Sequence, residues 1–244
     1  MRLKSETKSA STKSLLLACA AIAGVVLGAG PAFADAFQLD YQVHHSKYGN
    51  VGSYTNVVDT QGPDTTVTTK LNIKVGFLGI SAYHQSAQRV ERWQGDRLVY
   101  LHSSTNTNGK PVEVDGVANG DHFQVTTPEG SKEAPATVRV ANPWSPRLMN
   151  GEMIITADDG AVTNMQISPA QETMVEVGGM QVAAKQYDID LTGQNEKYQV
   201  WFDNTGTAVK FDKVDKDGTV TFTLNSKTPV NPQVAAAGAP AATP

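Results

Sequence analysis

Apolar and polar residues alternate with a period of two along much of this chain. Phe37, Leu39, Tyr41 and Val43 are separated by Gln38, Asp40, Gln42 and His44. Val67, Thr69, Leu71, Ile73, Val75 and Phe77 alternate with Thr68, Lys70, Asn72 and Lys74, and Val220, Phe222 and Leu224 with Thr219, Thr221 and Thr223. One apolar face at this spacing is what a half-buried antiparallel strand requires. No stretch carries the three-to-four spacing of an amphipathic helix. The pattern predicts an all-β fold.

Turn residues fall between these runs. Gly95-Asp96, Asn108-Gly109, Asn119-Gly120, Asp159-Gly160, Gly178-Gly179, Thr205-Gly206 and Asp217-Gly218 are placed to reverse the chain. Glycine beside Asn or Asp supplies the positive φ angles of tight hairpins, so the strands form a meander. Two strands are predicted to be long, Asp64 to Phe77 and Ser81 to Trp93, joined through Gly76-Phe77-Leu78-Gly79. Long antiparallel strands twist and curl, and a curled sheet wraps a core or a cavity. The second, SAYHQSAQRVERW, alternates poorly and reads as partly solvated on both faces. From Ala134 to Asn150 the pattern breaks at Pro135, Pro143 and Pro146, so this stretch reads as a loop or short helix covering the sheet. The fold expected is a single strongly curved antiparallel sheet or half-barrel of about ten to twelve strands with a proline-rich cover loop.

The two ends differ from the middle. Arg2, Lys4, Lys8 and Lys13 precede an uncharged run of 16 residues, Leu15 to Gly30, and then Ala32-Phe33-Ala34. This is the layout of a secretory signal cleaved before Asp35, and the run is short for a spanning helix. Cys19, the sole cysteine, leaves with it, so no disulfide or thiolate chemistry is expected. Residues 228–244, rich in proline and alanine, read as a disordered tail. The domain between them is 35–227, exported to the periplasm or secreted. Without residues 1–34 the chain holds 16 basic and 23 acidic side chains, a net charge of −7. An acidic domain does not favour nucleic acid as a partner. The sparse aromatics and threonine- and lysine-rich strands do not fit an outer-membrane barrel, so no membrane span is expected after cleavage.

Glu91-Arg92-Trp93 with Gly95, Arg97 and Leu98 sets a recognisable pattern. It continues through Thr105-Asn106 with Gly109, the isolated Trp144, Trp201-Phe202-Asp203 with Gly206, and Asp217-Gly218. In these fragments, residues 36–226 resemble a bacterial family described as domain of unknown function 6134. The resemblance implies an exported antiparallel β domain, similar to curved half-barrels that hold apolar cargo in some periplasmic carriers. It brings no known activity, cofactor or catalytic residue.

The chain's own chemistry is thin. His44 and His45 point to opposite faces of a strand, and His84, His102 and His122 stand singly, so no metal centre is predicted. Asp188 and Asp190 share a strand face with no second contributor, and Asp212, Asp215 and Asp217 lack calcium-loop spacing. There is no nucleophile elbow and no phosphate loop. No catalytic residue and no cofactor are assigned. The candidates for ligand contact are Trp144, Trp93 and Trp201, with Trp144 between two prolines best placed to cap a cavity. The leading reading is a non-catalytic binding module for an apolar small molecule or lipid. An enzyme whose site is assembled from distant strand ends, or a structural envelope protein with a packed core, are the alternatives.

Overall fold

The computed structural model describes residues 35–77 and 80–231. The predicted signal with Cys19, the Leu78-Gly79 link and residues 232–244 lie outside them. The described residues hold sixteen strands in one sheet. The first eight form a meander: β1 (Asp35–His45), β2 (Gly49–Gln61), β3 (Asp64–Phe77), β4 (Ile80–Gln94), β5 (Arg97–Thr107), β6 (Lys110–Asn119), β7 (His122–Thr127) and β8 (Gly130–Pro135). There follow β9 (Arg139–Val140), a short 3-10 helix (Pro146–Asn150), β10 (Met153–Ile155), β11 (Val162–Ile167) and β12 (Gln171–Val177). The chain ends on β13 (Met180–Leu191), β14 (Lys197–Asp203), β15 (Ala208–Asp215) and β16 (Gly218–Pro229).

Strand β1 joins the two halves, pairing with β2 on one side and β16 on the other. From there the order runs outward to β8 in one direction and through β15, β14, β13, β11 and β10 to β9 in the other. Pairing is antiparallel except between β9 and β10. Among the described residues the two ends, β8 and β9, do not pair, so the sheet they form is not closed into a barrel. The expected all-β fold and long meander are present. The strands are more numerous than ten to twelve, in part because the proline-rich stretch itself adds the short β9, with β10 just beyond it.

Curvature follows from the packing. Val58 of β2, Val67, Trp93, Leu98, Val114 and Phe123 on the successive strands, and Ala134 of β8 belong to one buried cluster. In a flat sheet, strands six places apart would lie about 29 Å from each other. The sheet must therefore curl to bring them onto one core. Bulges such as those at Val75/Gly76 and Arg92/Trp93 supply local bends. Asn108-Gly109, with φ of 53° and 83°, makes the tight β5–β6 turn that its sequence implies.

Residues 136–160 lie against the concave face. Val138, Val140, Trp144 and Ile155 enter the first core, while Leu148 and Ile154 enter a second with Ile189, Leu191, Val200 and Phe202. A third core, Leu39, Tyr41, Val43, Val51, Tyr54 and Leu71, lines the middle of the sheet. The segment expected to cover the sheet thus supplies part of its interior.

Two local expectations are sharpened. The part of β4 that is solvated on both faces is its first half, where Ala82 is exposed and Tyr83, His84, Gln85 and Ser86 are half-buried, whereas Ala87, Arg89, Glu91 and Trp93 are buried. Charged Arg89 and Glu91 on the inner face hide the alternation. At the C-terminus, Thr228 and Pro229 continue β16 opposite Gln38 and Phe37, and the Val230 N–H donates to the Ala36 carbonyl at 2.9 Å. The ordered chain therefore passes residue 227, because β1 offers a partner for each further residue. Among the described residues no helix is long and apolar enough to cross a membrane.

Candidate functional site

The β3–β4 hairpin register decides which β4 side chains face inward. Glu91 lies opposite Val67, Arg89 opposite Thr69 and Ala87 opposite Leu71, all inward positions of β3. Glu91 is wholly inaccessible to solvent. Its Oε1 accepts from Asn142 Nδ2 at 2.7 Å, and its Oε2 accepts from Trp93 Nε1 at 2.9 Å and Trp144 Nε1 at 3.3 Å. Asn142 continues the network, its Oδ1 accepting from the Tyr54 hydroxyl at 2.8 Å and Asn56 Nδ2 at 2.9 Å. The Thr69 hydroxyl donates to Asn56 Oδ1 at 2.6 Å.

A carboxylate whose oxygens all meet N–H donors is a fastener, tying the Asn142-Pro143-Trp144 segment to β2, β3 and β4. Burial pushes the Glu91 carboxyl above its ordinary value, against the pull of its donors and of Arg89. Tyr54 is likewise pushed by burial to about 12, and its neutral hydroxyl donates to Asn142.

Arg89 is buried beside this network and pairs through Nη2 with Asp158, in the turn between β10 and β11. Burial opposes its charge, but Asp158 and its other neighbours outweigh that and raise its pKa. The Arg89 Nε has no partner.

Arg89 and Asp158 both face a cavity of about 540 Å³. One wall comes from the third core: Tyr54, Leu71, Ile73, Val75, Phe211 and Phe222. The opposite wall comes from the covering segment and its neighbours, with Pro143, Leu148, Ile154 and Val200. Phe211 and Phe222 stack with ring centres 4.3 Å apart, and Tyr54 meets each ring edge-on. His45, Tyr48, Tyr83 and Asp217 line it where the β1–β2 turn, the start of β4 and the β15–β16 turn come together. Gln85, Gln199, Asp212 and Lys213 also line it, and a volume of this size with largely apolar wall area and polar groups at fixed points matches a small-molecule site.

The three tryptophans are divided. Trp93 and Trp144 meet edge to face, ring centres 6.2 Å apart, around Glu91. Trp201 lies in a different cluster with Val175, Val177, Ala184 and Val209, under Lys210. None of the three lines the cavity; the neighbouring Pro143 does. Arg89, Asp158 and the aromatic wall were not singled out from sequence. The signal for Arg89 and Glu91 was the hairpin register, which sets them on the inward face.

Other chemical candidates are dispersed. Among the described residues no group of three His, Asp or Glu side chains is placed to hold a metal ion. His102 pairs with Asp115, Asp188 accepts from Gln186 and Gln199, and Asp190 faces Lys197.

Residues 41–225 match the family described as Domain of unknown function (DUF6134). No curated protein matches the chain. Among solved structures, it is similar to the beta-barrel-like protein of Domain of Unknown Function DUF1849 from Brucella abortus, with a TM-score of 0.58 and 10% identity over 81% of this chain and 98% of that one. At that identity the likeness concerns the fold.

Proposed function

We propose, for a chain that belongs to the family Domain of unknown function (DUF6134), the role of an exported, non-catalytic binding module that holds an apolar or lipid-like molecule. The observation that carries this reading is the 540 Å³ cavity between the aromatic wall and the covering segment. A concave site of this size, with mainly apolar wall area and polar groups that can fix an orientation, is what small-molecule binding uses. Tyr83 and Tyr198 on its walls are neutral hydroxyls at neutral pH, and burial raises their pKa further. Glu91, the perturbed carboxyl, is not on the cavity wall, which favours binding over acid–base chemistry.

Export rests on the charged start, the uncharged run and Ala32-Phe33-Ala34. Cleavage after Ala34 leaves the described strand β1, Asp35–His45, intact.

The test is binding of the neutral fluorescent probe N-phenylnaphthylamine. Val75 is half-buried on the wall near Tyr83, its partner on β4. Val75→Trp fills space there, and probe affinity falls about tenfold or more, the worth of roughly 1.4 kcal/mol of lost contact. Equal binding by both proteins would place the probe elsewhere and remove support for the reading.

A further inference from the structure

We propose that Arg89 anchors the head of the ligand, and that the ligand is an apolar chain ending in a carboxylate. This rests on the reading of the cavity as a binding site and goes on to name the chemistry it selects.

Arg89 is 6% exposed and stands on the cavity wall, yet its guanidinium makes a single side-chain bond, through Nη2 to Asp158. Its buried Nε has no acceptor. A guanidinium presents five N–H donors in a planar fork suited to a two-oxygen acceptor. Buried donors left unmet are costly, so this arrangement calls for an oxygen-bearing group in the cavity. Asp158 is a displaceable partner. Its side chain is 44% exposed, so it can return to water when another carboxylate takes its place.

The rest of the cavity sets the shape of that ligand. Arg89 is level with Thr69, and the lining continues along β3 and β4 through Leu71, Ile73 and Val75 to Tyr83. Six residues of strand span about 20 Å. Along this length the wall is completed by Phe211, Phe222 and Val220. The guanidinium is thus at one end, and the apolar surface of Leu71, Ile73 and Val75 runs away from it toward the β1–β2 turn, where His45, Tyr48, Tyr83 and Asp217 also line the cavity. A ligand that fits places its anionic head at Arg89 and its tail along Leu71, Ile73 and Val75.

The experiment displaces N-phenylnaphthylamine from the full exported protein with dodecanoate and with dodecanol, which share a chain and differ in the head. On the wild type, dodecanoate displaces the probe at about tenfold lower concentration than dodecanol, the scale of one charge-assisted pair. Arg89→Gln removes that preference while dodecanol is unaffected. Because Arg89→Gln leaves Asp158 unpaired and can impair folding, Asp158→Asn provides a second arm. It removes the competing negative charge beside Arg89, and dodecanoate binds more tightly while dodecanol does not change. Equal displacement by the two compounds on the wild type and on Asp158→Asn would overturn the anchor and leave the cavity reading standing. Failure of the probe to bind the wild type at all would overturn both.

Discussion

Trp144 donates its indole N–H to Oε2 of Glu91, 3.3 Å away, the same oxygen that accepts from Trp93. A side chain from the covering segment is thereby fixed to Glu91, near the end of β4 and 53 residues earlier in the chain. The cavity exists because that segment is held at this point, with Pro143 on its wall and Trp144 behind it.

Trp144→Ala therefore lowers stability by about 3–5 kcal/mol, as for other buried aromatics truncated to alanine. Probe binding by the protein that remains folded changes less than in Val75→Trp. Denaturant unfolding and probe titration on the same preparation check this. Unchanged stability with lost binding would mean that Trp144 touches the ligand directly.

Glu91 gives a graded series. Glu91→Leu keeps the bulk and removes the acceptor, orphaning two indole donors at about 1–3 kcal/mol each. Glu91→Gln keeps one oxygen and falls between Leu and the wild type. The folded-state pKa of Glu91 lies above its ordinary value of 4.5, so the folded chain retains a proton where the unfolded chain has released it. That contribution is complete below 4.5 and is lost as pH rises through the raised value. Stability of the wild type relative to Glu91→Gln therefore increases as pH is lowered from 7 toward 4, measured by urea unfolding across that range. A difference that stays flat would show that the pKa of Glu91 is not raised in the folded protein.

Much of the sheet was legible because its strands alternate cleanly. Phe37 to Val43, Val67 to Val75 and Val220 to Leu224 lie on β1, β3 and β16, with the glycine turns where hairpin geometry needs them. The site was less legible for a physical reason. Arg89 and Glu91 are charged, so by composition they read as solvent-facing. What makes their burial tolerable is Asp158 and Asn142, contributed by a segment whose position no local pattern reveals. Trp144 was legible as a constrained side chain, and Pro143 beside it turned out to face the cavity.

Truncation separates the ends of β16. Removing residues 232–244 changes stability by no more than about 0.5 kcal/mol, the usual range for surface changes. Removing residues 228–244 costs more, because it also strips the Val230 hydrogen bond to Ala36 and the pairing with Phe37 and Gln38. Each lost backbone bond is worth about 0.5–1.5 kcal/mol. Equal midpoints for the two truncations would show that this end of the ladder adds nothing.

Processing is checked by N-terminal sequencing of the protein recovered outside the cytoplasm. The expected first residue is Asp35, the residue after Ala32-Phe33-Ala34. A chain beginning at Met1, or at a lipid-modified Cys19, would contradict cleavage after Ala34.

The most direct measurement is native mass spectrometry of the protein purified, without detergent, from the cells that make it. The account predicts an added mass from one small apolar molecule, present on the wild type, released on denaturation, and absent from Val75→Trp. Bare chain mass in both proteins, with every charge state free of adduct, would contradict it.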